Sequence, residues 1–155
     1  MENEATHPYK DKVHRVLASS YSAYLLFFLV GVYLNLFLNL KVFSSSVAIL
    51  IGLILLVSGT LLIIWAQGTS RNLKKENITK EAFSHGPYSF TRTPTNFGLF
   101  FLMLGFGMIA NSLCIILCSI IAFFVAKFIF LKQEEKILAE KYGAPYLEYK
   151  KAVKF

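Results

Sequence analysis

Residues that build metal centres and nucleophilic active sites are scarce in this sequence. The chain has 155 residues with only two cysteines and three histidines. His7, His14 and His85 are scattered and lack the spacing of metal ligands. The sequence also has no glycine-rich phosphate loop and no hydrolase-like order of serine, histidine and aspartate. These shortages argue against a transition-metal centre, a P-loop nucleotide site and a catalytic triad.

The two cysteines, Cys114 and Cys118, lie four residues apart in one apolar run. A thiol pair or a shared metal ion is one interpretation of this spacing. Packing against lipid or a protein core is the favoured interpretation, because free cysteine behaves as a small hydrophobic residue. We therefore predict no bound metal.

Apolar residues, by contrast, are abundant and lie in long runs. Hydrophobic residues make up 55% of the chain, and the mean hydropathy is +0.55. Uncharged runs of 19 and 20 residues, at 22–40 and 47–66, are long enough to cross a bilayer core of ~30 Å as helices. Two further runs, at about 94–111 and 113–131, are separated only by a tight turn. We predict a single all-α integral membrane domain over 1–155, with four transmembrane helices, the last two a helical hairpin, and a cytoplasmic C-terminal helical extension.

Acidic residues are few: nine carboxylates accompany sixteen lysines and arginines, for a net charge of +7. A basic excess can indicate nucleic-acid binding, but its placement here favours another interpretation. Fourteen of the sixteen basic residues and all nine carboxylates fall in three segments, 1–21, 67–93 and 132–155. Four spans place these segments on one side, which the positive-inside rule assigns to the cytoplasm. We predict a multi-pass membrane protein with both termini cytoplasmic and no nucleic-acid partner.

The segment HGPYSFTRTPTNFG, residues 85–98, predicts a bend followed by a helix start. Gly86 and Pro87 favour a turn. Thr93 followed by Pro94 is typical of an N-cap residue and the first residue of a helix. The third apolar run is therefore expected to begin as a helix at Pro94.

The same helix start predicts a position for an anion. The backbone amides of Thr95 and Asn96 are expected to be free at the positive end of the helix dipole, where a carboxylate or phosphate binds. Arg92, just before the helix, offers a fork-shaped donor for the same anion. An ordinary capped helix, with the Arg92 side chain reaching lipid headgroups, explains the stretch equally well.

Adjacent carboxylates, Glu134 and Glu135, follow the fourth apolar run. Because the third and fourth spans form a hairpin, the pair is expected to lie near the helix start at Pro94. A pocket with anion donors and an acidic group suits a zwitterion that carries both an amino group and a carboxylate. Solvated surface charges are the simpler alternative.

The last part of the chain predicts a short helix that can fold back. Gly143 suits the end of one helix, and Pro145 prevents its simple continuation. Tyr146, Tyr149 and Val153 then share one face of a final helix. This face either docks on the bundle or lies at the membrane surface with the tyrosines at headgroup depth.

Two segments together resemble the integral-membrane methyltransferases, a family that includes isoprenylcysteine carboxyl methyltransferase and the phospholipid N-methyltransferases. The segments are GPYSFTRTPTNFGLFFLMLGFGMIANS and KQEEKILAEKYGAPYLEYKKAV, and they cover about the last 70 residues. Thr93 and Asn96 depart from the family pattern, which has histidine and tyrosine there. The positions that match are Gly86, Tyr88, Arg92, Pro94, Gly98, Glu134, Glu135, Tyr142, Gly143, Tyr146 and Tyr149.

The resemblance implies a cytoplasmic site for S-adenosylmethionine, with Arg92 as a catalytic residue. It implies methyl transfer to a lipid or lipid-like acceptor, with membrane lipids as partners and no metal. The alternatives are a non-catalytic membrane protein that keeps the fold and binds a ligand, and a nicotinamide-dependent membrane reductase. The implied cofactor-binding residues are Gly86, Tyr88, Arg92, Thr93, Pro94, Asn96, Gly98, Glu134, Glu135, Tyr146 and Tyr149.

Overall fold

The computed structural model describes residues 7–42, 46–72 and 86–153, and within these ranges the chain is helical with no strand. A π-helical turn joins the helices Leu113–Val125 and Leu131–Tyr142 without a break, so the two form one long helix. The elements in chain order are α1 His7–Leu38, α2 Ser46–Asn72, a 3-10 turn Gly86–Ser89, α3 Pro94–Ile109, α4 Leu113–Val125, the π turn Ala126–Phe130, α5 Leu131–Tyr142 and α6 Ala144–Ala152.

Three helical segments are long and apolar enough to cross a membrane: Ala18–Leu38, Ser46–Thr69 and Leu113–Glu140. α3 is also apolar but has only 16 residues. At ~1.5 Å per residue it spans about 24 Å, which is less than a bilayer core of ~30 Å. The all-helical prediction is confirmed, and the three long helices indicate a membrane protein. A fourth crossing by α3, and the orientation of the termini, stay predictions.

The helix ends differ from the predicted spans. The structure describes α1 from His7 onward, well before the first apolar run, and α2 continues to Asn72. Apolar runs mark the part of a helix that faces lipid, and they do not mark the polar turns that extend it. α3 ends at Ile109, slightly before its predicted end, because Asn111 adopts a left-handed φ of 50° that terminates the helix.

Glycines hold α2 and α3 backbone to backbone. A Cβ atom added to Gly59 would lie 2.7 Å from the Gly98 carbonyl oxygen, and one added to Gly105 would lie 2.6 Å from the Gly52 carbonyl oxygen. Small residues allow this approach between membrane helices. These glycines therefore serve the close packing of α2 against α3.

The turn between α3 and α4 is built as a helix cap. The Ser112 side chain accepts a hydrogen bond from the Ile115 backbone amide at 3.3 Å, which satisfies one free donor of the first turn. The Asn111 side-chain oxygen accepts a bond from the Val42 amide at 3.0 Å. This bond ties the chain after α1 to the α3–α4 hairpin.

α1 packs along α4 and closes the core. Tyr24 is buried there, together with Met103 of α3 and Ile115 and Cys118 of α4. Cys114 and Cys118 are both buried and neither is in a disulfide, in keeping with a packing role. The bundle therefore brings the first turn of α3, the π turn and α5 to the same end.

Candidate active site

The bend at residues 86–90 fits tightly against α2. Gly86 has a φ of 61°, and a Cβ atom there would lie 2.6 Å from the Thr69 hydroxyl oxygen, so only glycine fits without strain. The buried Pro87 accepts hydrogen bonds from the amides of Phe90 and Thr91, each at 3.2 Å. The bend thus fixes the direction in which the chain enters α3. His85 lies outside the described residues.

The start of α3 is partly as predicted. Pro94 is the first helical residue and is buried, and Thr93 precedes it, but the Thr93 side chain makes no capping bond. The expectation of a free Asn96 amide is wrong. That amide donates to the Thr93 carbonyl at 3.1 Å, because the first turn tightens to a three-residue spacing that satisfies the donor within the chain.

An ion-pair cluster connects this helix start to α5 and α6. The Arg92 guanidinium pairs with Oε1 of Glu135, while the ammonium of Lys150 lies 2.8 Å from Oε2 of the same carboxylate. Glu135 is only 9% exposed, and each of its two carboxylate oxygens pairs with a cation of the protein. For Glu135, the expected proximity to the helix start is confirmed. Lys150, which the sequence reasoning did not single out, is the additional member.

Glu134 does not take part in this cluster. It is half-buried and lies close enough to Tyr21 of α1 for the two side chains to interact electrostatically. The two adjacent carboxylates therefore have different surroundings. Glu135 joins the start of α3 to α6, whereas Glu134 interacts electrostatically with Tyr21 of α1 and Tyr146 of α6.

The final helix docks on this end of the bundle through its tyrosines. Tyr146 and Tyr149 are each 3% exposed and pack with Tyr88 and Leu138. The Tyr149 hydroxyl donates to the Tyr88 backbone carbonyl at 2.8 Å. Burial raises the pKa of both phenols, which keeps them neutral. The docked arrangement is therefore found, rather than tyrosines lying at the surface of the bundle.

α6 is positioned by Gly143. This residue has φ 61° and ψ −133°, a conformation that is essentially restricted to glycine, and its amide closes the last turn of α5 on the Ala139 carbonyl at 3.0 Å. The helix end predicted at Gly143 is confirmed. The side chain of Tyr142, a further position of the resemblance, lies outside the described residues.

Asn96 joins α3 to α1, which sequence reasoning missed. The Ser20 hydroxyl donates to the Asn96 side-chain oxygen at 3.1 Å, and the Tyr24 hydroxyl donates to the Asn96 backbone carbonyl at 3.2 Å. Both donors are buried. Two polar side chains four residues apart at the beginning of an apolar run were the available signal.

A small pocket lies between the start of α3 and the π turn, with a volume of about 30 Å³. A cavity of this size holds roughly two water-sized groups. Gly98 is not among its lining residues and lies against α2, where a Cβ atom would come within 2.5 Å of the Ile63 side chain. The role of Gly98 in cofactor binding stays a prediction. The pocket is lined by Arg92, Thr93, Asn96, Phe97, Phe123, Lys127 and Leu131.

Comparison with known proteins identifies the family. Residues 47–145 match the family model described as phospholipid methyltransferase. The matched region holds the bend, Arg92 and both carboxylates, whereas Ser20 and Tyr24 lie before it and the docked tyrosines of α6 lie after it. No curated protein and no solved structure matches the chain. Because the family model covers more than half of the chain, and the resemblance found in the sequence agrees with it, the protein belongs to the phospholipid methyltransferase family.

Proposed function

We propose that the protein transfers a methyl group from S-adenosylmethionine to a lipid acceptor, at the end of the bundle where α3 begins. The observation that supports this most strongly is the partly buried ion pair of Arg92 and Glu135 inside the family-matched region. It places a cation and an anion side by side next to a pocket, as a zwitterionic ligand requires. A few polar groups that converge beside a pocket are typical of ligand sites.

The residues present fit the amino-acid end of S-adenosylmethionine. Arg92 is suited to the carboxylate of the ligand and Glu135 to its ammonium group, since each would exchange one charged partner for another. The rings of Tyr146 and Tyr149 are buried and do not line the pocket, so they would offer aromatic surface for a cationic sulfonium only once α6 moves. When bound, the cofactor supplies a methyl group that its sulfonium already activates.

The chain itself then has to align the two reactants and exclude water. Thr93 and Asn96 line the pocket without an imidazole or a phenol, so their role is hydrogen bonding and shape rather than proton transfer. Phe97 and Phe123, whose ring centroids are 5.2 Å apart, give the pocket an apolar wall. Such a wall suits a lipid acceptor that arrives from the side.

The pocket must enlarge to admit a whole cofactor. A volume of about 30 Å³ is far below the ~300 Å³ at which ligand pockets begin. α6 contributes no residue to the lining of the pocket, but it is short and contacts the ion-pair cluster through Lys150 and the bend through Tyr149, so its displacement would expose the Arg92–Glu135 pair. We infer that α6 acts as a lid over the cofactor.

A second candidate is a membrane protein of the same fold without catalytic activity. The observation that favours it is that Arg92 and Lys150 already neutralise both oxygens of Glu135. The family match favours methyl transfer over the nicotinamide-dependent reductase.

A ligand titration separates these functions. Purified full-length protein is titrated with S-adenosylmethionine, with its demethylated product and with NADPH. Binding of the first two supports the methyltransferase, and transfer of labelled methyl groups to membrane lipid then establishes activity. Binding of NADPH alone would support the reductase, and binding of none of the three would support the non-catalytic protein.

A further inference from the structure

Lys127 is the one charged residue between Leu113 and Leu131. It lies four residues before Leu131, or about 6 Å inside the apolar run at ~1.5 Å per residue. Burying a charge at that depth costs free energy. An ionisable residue inside a membrane helix therefore indicates a functional position. Neither the family resemblance nor the ion-pair cluster accounts for this lysine.

The π turn presents Lys127 to the pocket. The Leu131 backbone amide donates to the Ala126 carbonyl, five residues earlier, whereas in an α-helix it would donate to the carbonyl four residues earlier. This extra residue changes which side chains face the neighbouring helix, and such turns occur frequently at functional sites. Ala126 is buried, whereas Lys127 is exposed and lines the pocket together with Leu131.

Two cations line this pocket, but their partners differ. Arg92 is paired with Glu135. Lys127 takes part in none of the ion pairs among residues 7–42, 46–72 and 86–153. The rest of the lining is largely apolar, with Phe97 and Phe123 forming a wall. The pocket thus combines an ammonium group with an apolar surface, which is the pattern that complements an anionic amphiphile.

We propose that Lys127 is the residue that positions the acceptor, by pairing with the phosphate of a lipid whose chains lie along the Phe97 and Phe123 side. This inference rests on the proposed function and adds to it the contact on the acceptor side. The cofactor would then meet Arg92 and Glu135, while the lipid phosphate meets Lys127. One pocket is thereby divided between two ligands of different charge.

A lysine suits this task for two reasons. Its compact ammonium group on a flexible stem binds phosphate as a point charge. The stem also lets the charge reach headgroup level from a backbone position inside the apolar run. Nonspecific contact with bulk headgroups would use the same reach, so a test needs a second exposed lysine nearby on the same helix. Lys132 is that control, because it is exposed on the same helix and does not line the pocket.

The test measures binding of soluble probes to detergent-purified full-length protein by calorimetry. Dihexanoyl phosphatidic acid carries chains and a phosphate, dihexanoylglycerol carries the same chains without the phosphate, and inorganic phosphate carries no chains. We expect wild type to bind the first probe best. Lys127→Gln should weaken that binding by roughly 10-fold or more, the loss expected for one charge-assisted contact. Lys127→Arg should recover most of it, and Lys132→Gln should bind as wild type does.

Three results would overturn the proposal: equal affinities of Lys127→Gln and Lys132→Gln for phosphatidic acid, binding of dihexanoylglycerol as tight as that of phosphatidic acid, or equally tight binding of inorganic phosphate. A parallel titration with S-adenosylmethionine keeps the two ideas separate. If wild type binds the cofactor but not phosphatidic acid, the Lys127 contact fails alone. If it binds phosphatidic acid but not the cofactor, the proposed methyl transfer fails and the lysine contact stands.

Discussion

Replacing Glu135 by glutamine should both loosen α6 and weaken cofactor binding. The substitution keeps the shape of the side chain but removes the charge that pairs with Arg92 and Lys150. The side chains of Arg92 and Glu135 are only 15% and 11% exposed. Removing one partner of a buried pair costs ~3–5 kcal/mol, because a buried charge is left uncompensated.

The Lys150 pair contributes less. The Lys150 side chain is 42% exposed and can return to water, so its pair with Glu135 contributes at most about 1 kcal/mol to the docking of α6. We therefore take about 3 kcal/mol as the loss at the contact between the start of α3 and α5, at the low end because the glutamine carbonyl oxygen can still accept a hydrogen bond. In hydrogen exchange, loss of the Lys150 contact corresponds to at most roughly 5-fold faster exchange of α6 amides. Affinity for S-adenosylmethionine should fall by roughly 10–100-fold as the ammonium contact is lost.

The assay compares Glu135→Gln with Glu140→Gln, an exposed position on the same helix. Hydrogen exchange of residues 144–153 reports the docking of α6, and calorimetry reports cofactor affinity. Glu140→Gln should behave as wild type in both measurements. The reasoning is refuted if the two variants show the same exchange rates and the same affinity, since Glu135 would then act only as a solvated charge.

Three further expectations address packing, the lid and topology. Gly98→Ala should lower the free energy of unfolding by about 1–3 kcal/mol, because the added methyl would lie 2.5 Å from a side-chain carbon of α2. Gly68→Ala is the control and should not destabilise the protein, because a Cβ atom there meets nothing within 4 Å. Deleting residues 144–155 should weaken S-adenosylmethionine binding by at least roughly 100-fold while the helices still insert, and undiminished affinity would contradict a lid. Single cysteines at Ser44 and Ser84, on a cysteine-free background, should be labelled from outside and inside the cell respectively; labelling of position 84 from outside would reverse the topology.

Local rules in the sequence determined the helices, the bend and the helix ends. The apolar runs predicted α1 and α2 because a bilayer requires about 20 consecutive apolar residues. Pro94 and Gly143 predicted where α3 begins and where α5 ends, because each restricts or permits a backbone conformation within its own few residues. The ordered motifs around Arg92 and the carboxylate pair were also sufficient to indicate the family.

Only the tertiary structure decided which partner each polar group has. Glu134 and Glu135 are adjacent in sequence, yet only Glu135 pairs with Arg92, because helical rotation turns neighbouring side chains in different directions. Asn96 bonds to Ser20, 76 positions away, which no local pattern can specify. The π turn that presents Lys127 adds one residue to a helical turn, a change that packing against neighbouring helices selects and that apolar periodicity does not encode.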